Sequence, residues 1–308
     1  MEQKYVKRTQ FLESQKLNIS NYMAKDYVIK QQLLIMEKQS QTNPISRAAS
    51  LNQNSFKTIL SIMHLNRFYC QVLKKQTAEL TGGEAHHLFN VCRLKKDDKV
   101  ELFDGKGTLA TASVEKATSK SVLLKIIDLE KVEKPTLPEV IIAVSLPKGE
   151  RFDWLLEKCT ELGVDHIAPV IFERTIKQLK NPKAVQRWRN ITIAAAKQCL
   201  RIFLPQIDAP VTLSEVLSVL KKQYNQAEIL VGSLEPESPN LITKRFSNKD
   251  VVAFVGPEGG ITEDEKVLLE DCGAKFIRLT DTILRVETAA LAFAVILTAG
   301  RDSGIKER

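Results

Sequence analysis

The sequence predicts an α/β chain in two parts, a small β-barrel followed by a mainly parallel sheet covered by helices. Three observations carry this. Between His64 and about Glu133, short alternating apolar runs are separated by turn residues, with Asp104-Gly105-Lys106-Gly107 as a hairpin signal. Beyond a linker with two prolines, continuous apolar runs alternate with stretches of helical period, the pattern of a parallel sheet. Val251 to Glu265 reads as strand, glycine loop and capped helix, with Thr262 and Glu265 as the capping box.

A chain of 308 residues with 44% hydrophobic residues can bury one large core or two smaller ones, which excludes a disordered or fibrous protein. The formal charge of +8 favours a polyanionic partner such as nucleic acid, although 37 acidic residues interleave with 45 basic ones. Residues 1–62 carry +5 of that charge, so the basic balance is partly a property of this stretch. The stretch has little apolar surface and reads as a flexible leader, with at most a frayed helix over Asp26 to Lys38. Met63 is the last methionine and the organised pattern begins just after it, so translation is expected to start there.

Cys70, Cys92, Cys159, Cys199 and Cys272 are odd in number and widely spaced, which suits reduced thiols in a cytoplasmic protein. His64, His86, His87 and His166 show no metal-ligand spacing, so no metal is expected. No apolar run reaches the ~18–20 residues that span a bilayer. The first residues have no apolar core followed by a cleavage site, so neither membrane insertion nor secretion is expected.

Taken in order, Arg67 to Cys70, Lys99 to Phe103, Leu109 to Val114 and Ser121 to Ile127 are the barrel strands. His86 to Cys92 is one helix between the first two, followed by the basic Arg93. The two histidines and Arg93 are candidates to face RNA; the plainer alternative is a solvated helix face. Glu133 to Pro138 is the linker, which sets the expected domains at 1–62, 63–134 and 135–308. Glu139 to Ser145 then fits a strand buried on both faces. Phe152, Leu155, Leu156, Cys159 and Leu162 form a helical stripe that Gly163 ends. His166 to Phe172 is a strand, Val185 to Leu200 and Leu213 to Lys221 are helices, and Glu228 to Val231 and Phe276 to Leu279 are strands. Arg285 to Gly300 is so apolar that it is expected to be buried nearly all round.

Two loops at carboxyl ends of strands hold the chemistry. Gly256-Pro257-Glu258-Gly259-Gly260 leaves backbone N–H groups uncovered at a helix N-terminus and reads as a cofactor seat, or as an ordinary strand-to-helix turn. It is neither a P-loop nor a dinucleotide fingerprint. Leu279 to Ala290 follows another strand and carries Arg285, Glu287 and Thr288, so the two loops imply one crevice. Thr288 and Glu287 also have the simpler roles of helix cap and dipole partner.

Lys148 to Val164 (Lys-Gly-Glu-Arg-Phe-Asp-Trp-Leu-Leu-Glu-Lys-Cys-Thr-Glu-Leu-Gly-Val), the glycine loop and Leu284-Arg285-Val286-Glu287-Thr288-Ala289 together resemble the bacterial 16S rRNA uracil N3-methyltransferases, the ribosomal small subunit methyltransferase E family. The resemblance runs from Met63 to about Arg301. Arg93-Leu94-Lys95 and Leu102-Phe103-Asp104-Gly105 are similar to that family's PUA-like barrel. It implies the SPOUT class, whose C-terminal chain forms a deep trefoil knot that holds S-adenosylmethionine, an exception to unknotted topology. It also implies a homodimer joined through the knot region, with the last helix as a surface for it. By the same resemblance the cofactor lies on Leu234, Val255, Gly256, Pro257, Glu258, Gly259, Gly260, Leu279, Ile283, Leu284 and Thr288. RNA contacts fall to His86, His87, Arg93, Lys148, Arg151, Arg174 and Gln198, and catalysis to Arg285, Glu287 and Arg201. The implied substrate is 16S rRNA or the assembled small ribosomal subunit.

Three departures stand out. Lys197-Gln198-Cys199-Leu200-Arg201 replaces Glu-Gln-Cys/Ser-Gly-Arg, Leu279-Thr280-Asp281 replaces Leu-Gly, and residues 1–62 have no counterpart. For the chemistry, methyl transfer needs the attacking nitrogen in line and close. Uracil N3 becomes nucleophilic as its proton leaves, so a cation over O2 and O4 helps, with Arg285 or Arg201 as candidates. Glu287 or Glu258 is the candidate to take the proton or orient a water. Because N3 is a pairing edge, the target base must be unpaired. Two rivals remain: an RNA-binding adaptor with an empty crevice, and a nucleotide-dependent metabolic enzyme, which lacks phosphate motifs.

Overall fold

In a computed structural model of the chain, the residues described are 65–176, 183–243 and 248–303. The expected leader and the start at Met63 lie outside them. The first sheet contains β1 (Asn66–Tyr69), β2 (Thr77–Thr81), β3 (Lys99–Phe103), β4 (Thr108–Ala117) and β5 (Ser121–Lys131), in the order β1-β3-β4-β5-β2. It is mixed: β1 runs parallel to β3, while the hairpins β3–β4 and β4–β5 and the pair β2–β5 are antiparallel. The β3–β4 hairpin turns where Asp104 stands, its Oδ1 accepting the N–H groups of Lys106 (2.7 Å) and Thr108 (2.9 Å). Inward residues such as Phe68, Leu80, Leu102 and Leu124 close the core under α1 (Gly82–His86), whose Ala85 and the following Leu88 are buried.

The sequence reading missed β2, whose Thr-Ala-Glu-Leu-Thr alternates exposed and buried. It also drew one helix over His86 to Cys92. The helix instead begins at Gly82 and widens to a π turn over His87–Val91, a form common where function or strain intervenes.

The second sheet is parallel in every pairing. Its strands are β6 (Val140–Ser145), β7 (His166–Ile171), β8 (Gln206–Ile207), β9 (Val211–Thr212), β10 (Glu228–Gly232), β11 (Val251–Val255) and β12 (Lys275–Ile277). Their order is β12-β10-β11-β6-β7-β8, with β9 also beside β7. The helices are α2 (Arg151–Glu161), α3 (Ala184–Cys199), α4 (Leu213–Gln223), α5 (Glu263–Asp271) and α6 (Val286–Ser303). All six residues of β6 are buried because both faces are covered. Val140, Ile142 and Val144 pack with Phe152, Trp188, Phe293 and Leu297 of α2, α3 and α6. Ile141 and Ala143 pack with Leu213, Leu217 and Leu269 of α4 and α5 on the other face.

At the amino ends of these strands, buried His166 bonds Asp208 (2.7 Å) and Tyr224 (3.1 Å), and Tyr224 donates to Glu139 (3.0 Å). Burial there, beside Glu139, pushes the Tyr224 phenol up. The polar network anchors the linker's end and leaves the carboxyl ends for the site.

One expectation about α6 is corrected. Its stripe Val286, Glu287, Ala290, Phe293, Ala294 and Leu297 is buried, but Thr288, Val295 and Ala299 point outward and Val295 is 47% exposed. The helix is apolar nearly all round, and a stripe through Thr288, Val295 and Ala299 is left exposed.

Barrel and parallel sheet touch along α3 and the turn after it. Lys197 pairs with Glu84 at 2.7 Å, and Arg189 Nη2 donates to the Tyr69 hydroxyl at 3.0 Å. Leu204 N–H donates to Gly105 O at 3.0 Å. A Cβ on Gly105 would meet the Leu204 side chain at 2.5 Å, and one on Gly107 would meet the Val132 carbonyl oxygen at 2.5 Å and the Phe203 ring at 2.7 Å, while φ of +72° and +100° favours glycine at both positions.

Candidate active site

The carboxyl ends of β10, β11 and β12 open into a cavity of about 460 Å³, within the span of small-molecule sites. Three loops wall it: Gly232 to Glu235 after β10, Val255 to Ile261 after β11, and Leu279 to Arg285 after β12. This is where open α/β sheets place ligands. Leu234, Val255, Pro257, Ile261, Phe276, Leu279, Ile283 and Leu284 give it an apolar lining, and Glu235, Glu258, Lys266 and Arg285 are its charged side chains.

The glycine loop is built differently from its sequence reading. Gly256 is required because a Cβ would lie 2.6 Å from Ile261 Cγ1, whereas one on Gly259 would lie 3.2 Å from the Cβ of Arg174, a tight contact that a small shift relieves. Gly260 has φ +79° and closes the turn by donating its N–H to Pro257 O at 2.9 Å. The glycines therefore serve the loop's own packing first. Thr262 and Glu265 form the expected capping box at the start of α5. The other oxygen of Glu265 accepts the Glu173 N–H at 2.7 Å, tying the segment after β7 to this helix end.

Among the sequence candidates for the cofactor, Leu234, Val255, Gly256, Pro257, Glu258, Gly260, Leu279, Ile283 and Leu284 line the cavity. Gly259 and Thr288 do not. Gly259 carries Arg174 instead, whose Nη1 donates to its carbonyl at 2.9 Å. Thr288 lies exposed within the first turn of α6, which opens at Val286 with the Arg285 carbonyl accepting the Ala289 N–H at 2.9 Å, so it is not the cap.

The three catalytic candidates are placed apart. Arg285 lines the cavity. Glu287 is buried behind it, one oxygen 3.5 Å from Arg151 Nε, the other without a protein partner. Arg201 lies away from the cavity: it donates to Thr160 O at 3.1 Å and sits 3.8 Å from Asp165, and burial lowers its pKa.

The RNA candidates divide as well. His86, Arg93, Lys148, Arg174 and Gln198 are exposed and Arg151 is partly so. His87 turns inward, 5.6 Å from the Phe68 ring, and its pKa is lowered by burial and by nearby Lys197. Arg93 adopts φ +55° just after the π turn.

Sequence reasoning missed Glu235 and Lys266, an ion pair at 3.4 Å whose partners lie 31 positions apart with no motif to join them. Lys266 also bonds Glu263 (3.0 Å), and these two carboxylates raise its pKa. Among the described residues no cluster of His, Cys, Asp and Glu is arranged to hold a metal ion, and no helix is long and apolar enough to cross a membrane.

Comparison with known proteins now defines the class. Residues 133–298 match the RNA methyltransferase domain family, and residues 80–127 match the RNA methyltransferase PUA domain. The fold and its crevice are thus those of an RNA methyltransferase with a PUA domain in front. Ribosomal RNA small subunit methyltransferase E of a Synechocystis species is 34% identical over 215 residues, which is 69% of this chain and 70% of the relative. The chain belongs to the ribosomal RNA small subunit methyltransferase E family. Two solved structures are similar over 77% of this chain and 98% of theirs. One is the Neisseria gonorrhoeae ribosomal RNA small subunit methyltransferase E bound to S-adenosylmethionine, at 31% identity and TM-score 0.67. The other is a methyltransferase from Legionella pneumophila with the same cofactor bound, at 29% identity and TM-score 0.69.

Proposed function

We propose that the protein methylates small-subunit ribosomal RNA from S-adenosylmethionine, and that its target atom is N3 of an unpaired uridine. The observation that carries the reading is the cavity at the carboxyl ends of β10 to β12, walled by the glycine loop and by the Leu279 to Arg285 loop. Its residues fit the cofactor: an apolar lining suits a purine, and the few charged groups suit a ribose and an amino-acid end. When bound, S-adenosylmethionine supplies an electrophilic methyl group.

The remaining chemistry falls to the chain. Arg285 projects from the loop that enters α6, and its guanidinium is the group to face the charge that develops on O2 and O4 as N3 loses its proton. Arg201, held by Thr160 and Asp165, has a positional role in this reading. Glu287 and Glu258 are the candidates to receive the proton. Glu287 has a buried oxygen without a protein partner, the kind of acceptor that a transferred proton or a held water satisfies. His86, Arg93, Lys148, Arg151, Arg174 and Gln198 supply the RNA face, with the barrel and parallel sheet acting together.

The same reading includes the trefoil threading, a homodimer and a cytoplasmic site of action. Support for the first is that α6 follows the edge strand β12 yet packs across the central β6 and β11 and against α2. Support for the second is the uncovered outer side of α6 around Val295.

The test is nucleoside mass spectrometry on small ribosomal subunits lacking the modification, incubated with the protein and isotope-labelled S-adenosylmethionine. Labelled 3-methyluridine is the expected product. Label on another nucleoside removes the N3 assignment, and no label on any nucleoside moves the reading to the adaptor.

A further inference from the structure

Four charged side chains line the cavity, and the proposed transfer step draws on Arg285 and, as one of two candidate proton acceptors, on Glu258. Glu235 and Lys266 are left over. They come from different elements, the loop after β10 and the first turns of α5, and meet with Nζ 3.4 Å from Oε1. The loop that presents Glu235 is fixed by its own hydrogen bonds: the Glu235 N–H donates to Ser233 Oγ (3.1 Å), and the Ser238 N–H donates to Glu235 O (3.1 Å). Lys266 is shared with Glu263 at 3.0 Å, so it steadies Glu235 while leaving most of that carboxylate's acceptor capacity open.

A carboxylate beside an apolar shelf suits a particular ligand feature, two neighbouring hydroxyl donors. Acidic residues read ribose this way in dinucleotide sites. The shelf is present in Leu234, Phe276 and Leu279, which line the same cavity. We propose that Glu235 recognises the ribose diol of the cofactor and that Lys266 is the positioning residue that aims it. This rests on the methyltransferase reading above.

The test compares S-adenosylhomocysteine with its 2′,3′-dideoxy analogue, each titrated calorimetrically into the full chain. Wild type should bind the diol at least about tenfold more tightly than the analogue, as hydrogen bonds to a charged group imply. Glu235→Ala should bring that ratio close to one by weakening the diol ligand alone, and Lys266→Met should lower it part of the way. Because the ratio is internal to each variant, partial loss of folded protein does not alter it. A wild-type ratio in Glu235→Ala, or equal weakening of both ligands, overturns the proposal while leaving the cofactor reading intact. Wild type that binds neither ligand overturns both.

Discussion

Lys197 of α3 reaches Glu84 of the barrel, Nζ 2.7 Å from Oε1, and the other oxygen of Glu84 accepts the Tyr69 N–H at 3.0 Å. A single carboxylate thus ties the first barrel strand to a helix of the parallel sheet. A double-mutant cycle with Lys197→Ala and Glu84→Ala, followed by urea unfolding, should give a coupling of about 1 kcal/mol, the upper range for a partly exposed pair. Lys197→Glu should lower stability further by setting two carboxylates against each other.

Leu200 caps α3 in the left-handed region, with φ 61° and ψ 23°. The conformation costs a residue with a Cβ about 1 kcal/mol or more. Leu200→Gly should therefore raise the melting temperature by roughly 2–4 °C, and Leu200→Ala, which keeps the Cβ, should not. Thermal scans of the two variants check this.

In the glycine loop, position matters more than residue type. Gly260→Ala forces a Cβ onto φ +79° in a residue lining the cavity, and should weaken S-adenosylhomocysteine binding by about tenfold. Gly259→Ala presses on Arg174 away from the cavity and should weaken it by about twofold at most. Calorimetry on both variants distinguishes them.

Arg285→Ala should reduce turnover by roughly a hundredfold while changing S-adenosylhomocysteine affinity by less than about threefold, the pattern of a group that acts in the transition state. Single-turnover methylation and a binding isotherm on the same preparation measure the two. Equal losses in both would remove Arg285 from the chemical step.

Val295 lies on the outer side of α6 at 47% exposure. Light scattering of the wild type should give the mass of two chains, and Val295→Glu should give the mass of one, because a charge in an apolar contact leaves an unpaired ion.

Much of the architecture was legible in sequence because both periods were clean. The run Val140 to Ser145 and the stripe Phe152, Leu155, Leu156 and Cys159 appear in the structure as a strand and a helix in one core. Short elements were not legible: β8 and β9 are two residues each, stabilised by neighbours rather than by their own pattern. The burial of α6 was overread, since apolar composition says that a surface is coverable and not what covers it. In the site, two of the three loops that wall the cavity announced themselves, by glycine and proline or by position after a strand, while the loop after β10 did not. The Glu235–Lys266 pair did not, because contacts between distant loops leave no local trace. Arg174 and Gly259 show the reverse: the glycine was conspicuous, but its reason lay 85 residues away.

The seating of Phe203 and Leu204 against Gly107 and Gly105 bears on how separable the two parts of the chain are. The RNA methyltransferase PUA domain and the RNA methyltransferase domain are adjacent in sequence and separable on paper. The barrel's hairpin nevertheless packs against two side chains that lie about a hundred positions downstream. Transplanting the barrel alone onto another enzyme would leave its glycine turn facing a void and Phe203 facing water. The two parts therefore share one packed seam, and a change at Gly105 or Gly107 is felt at Leu204 and Phe203 on the far side of it.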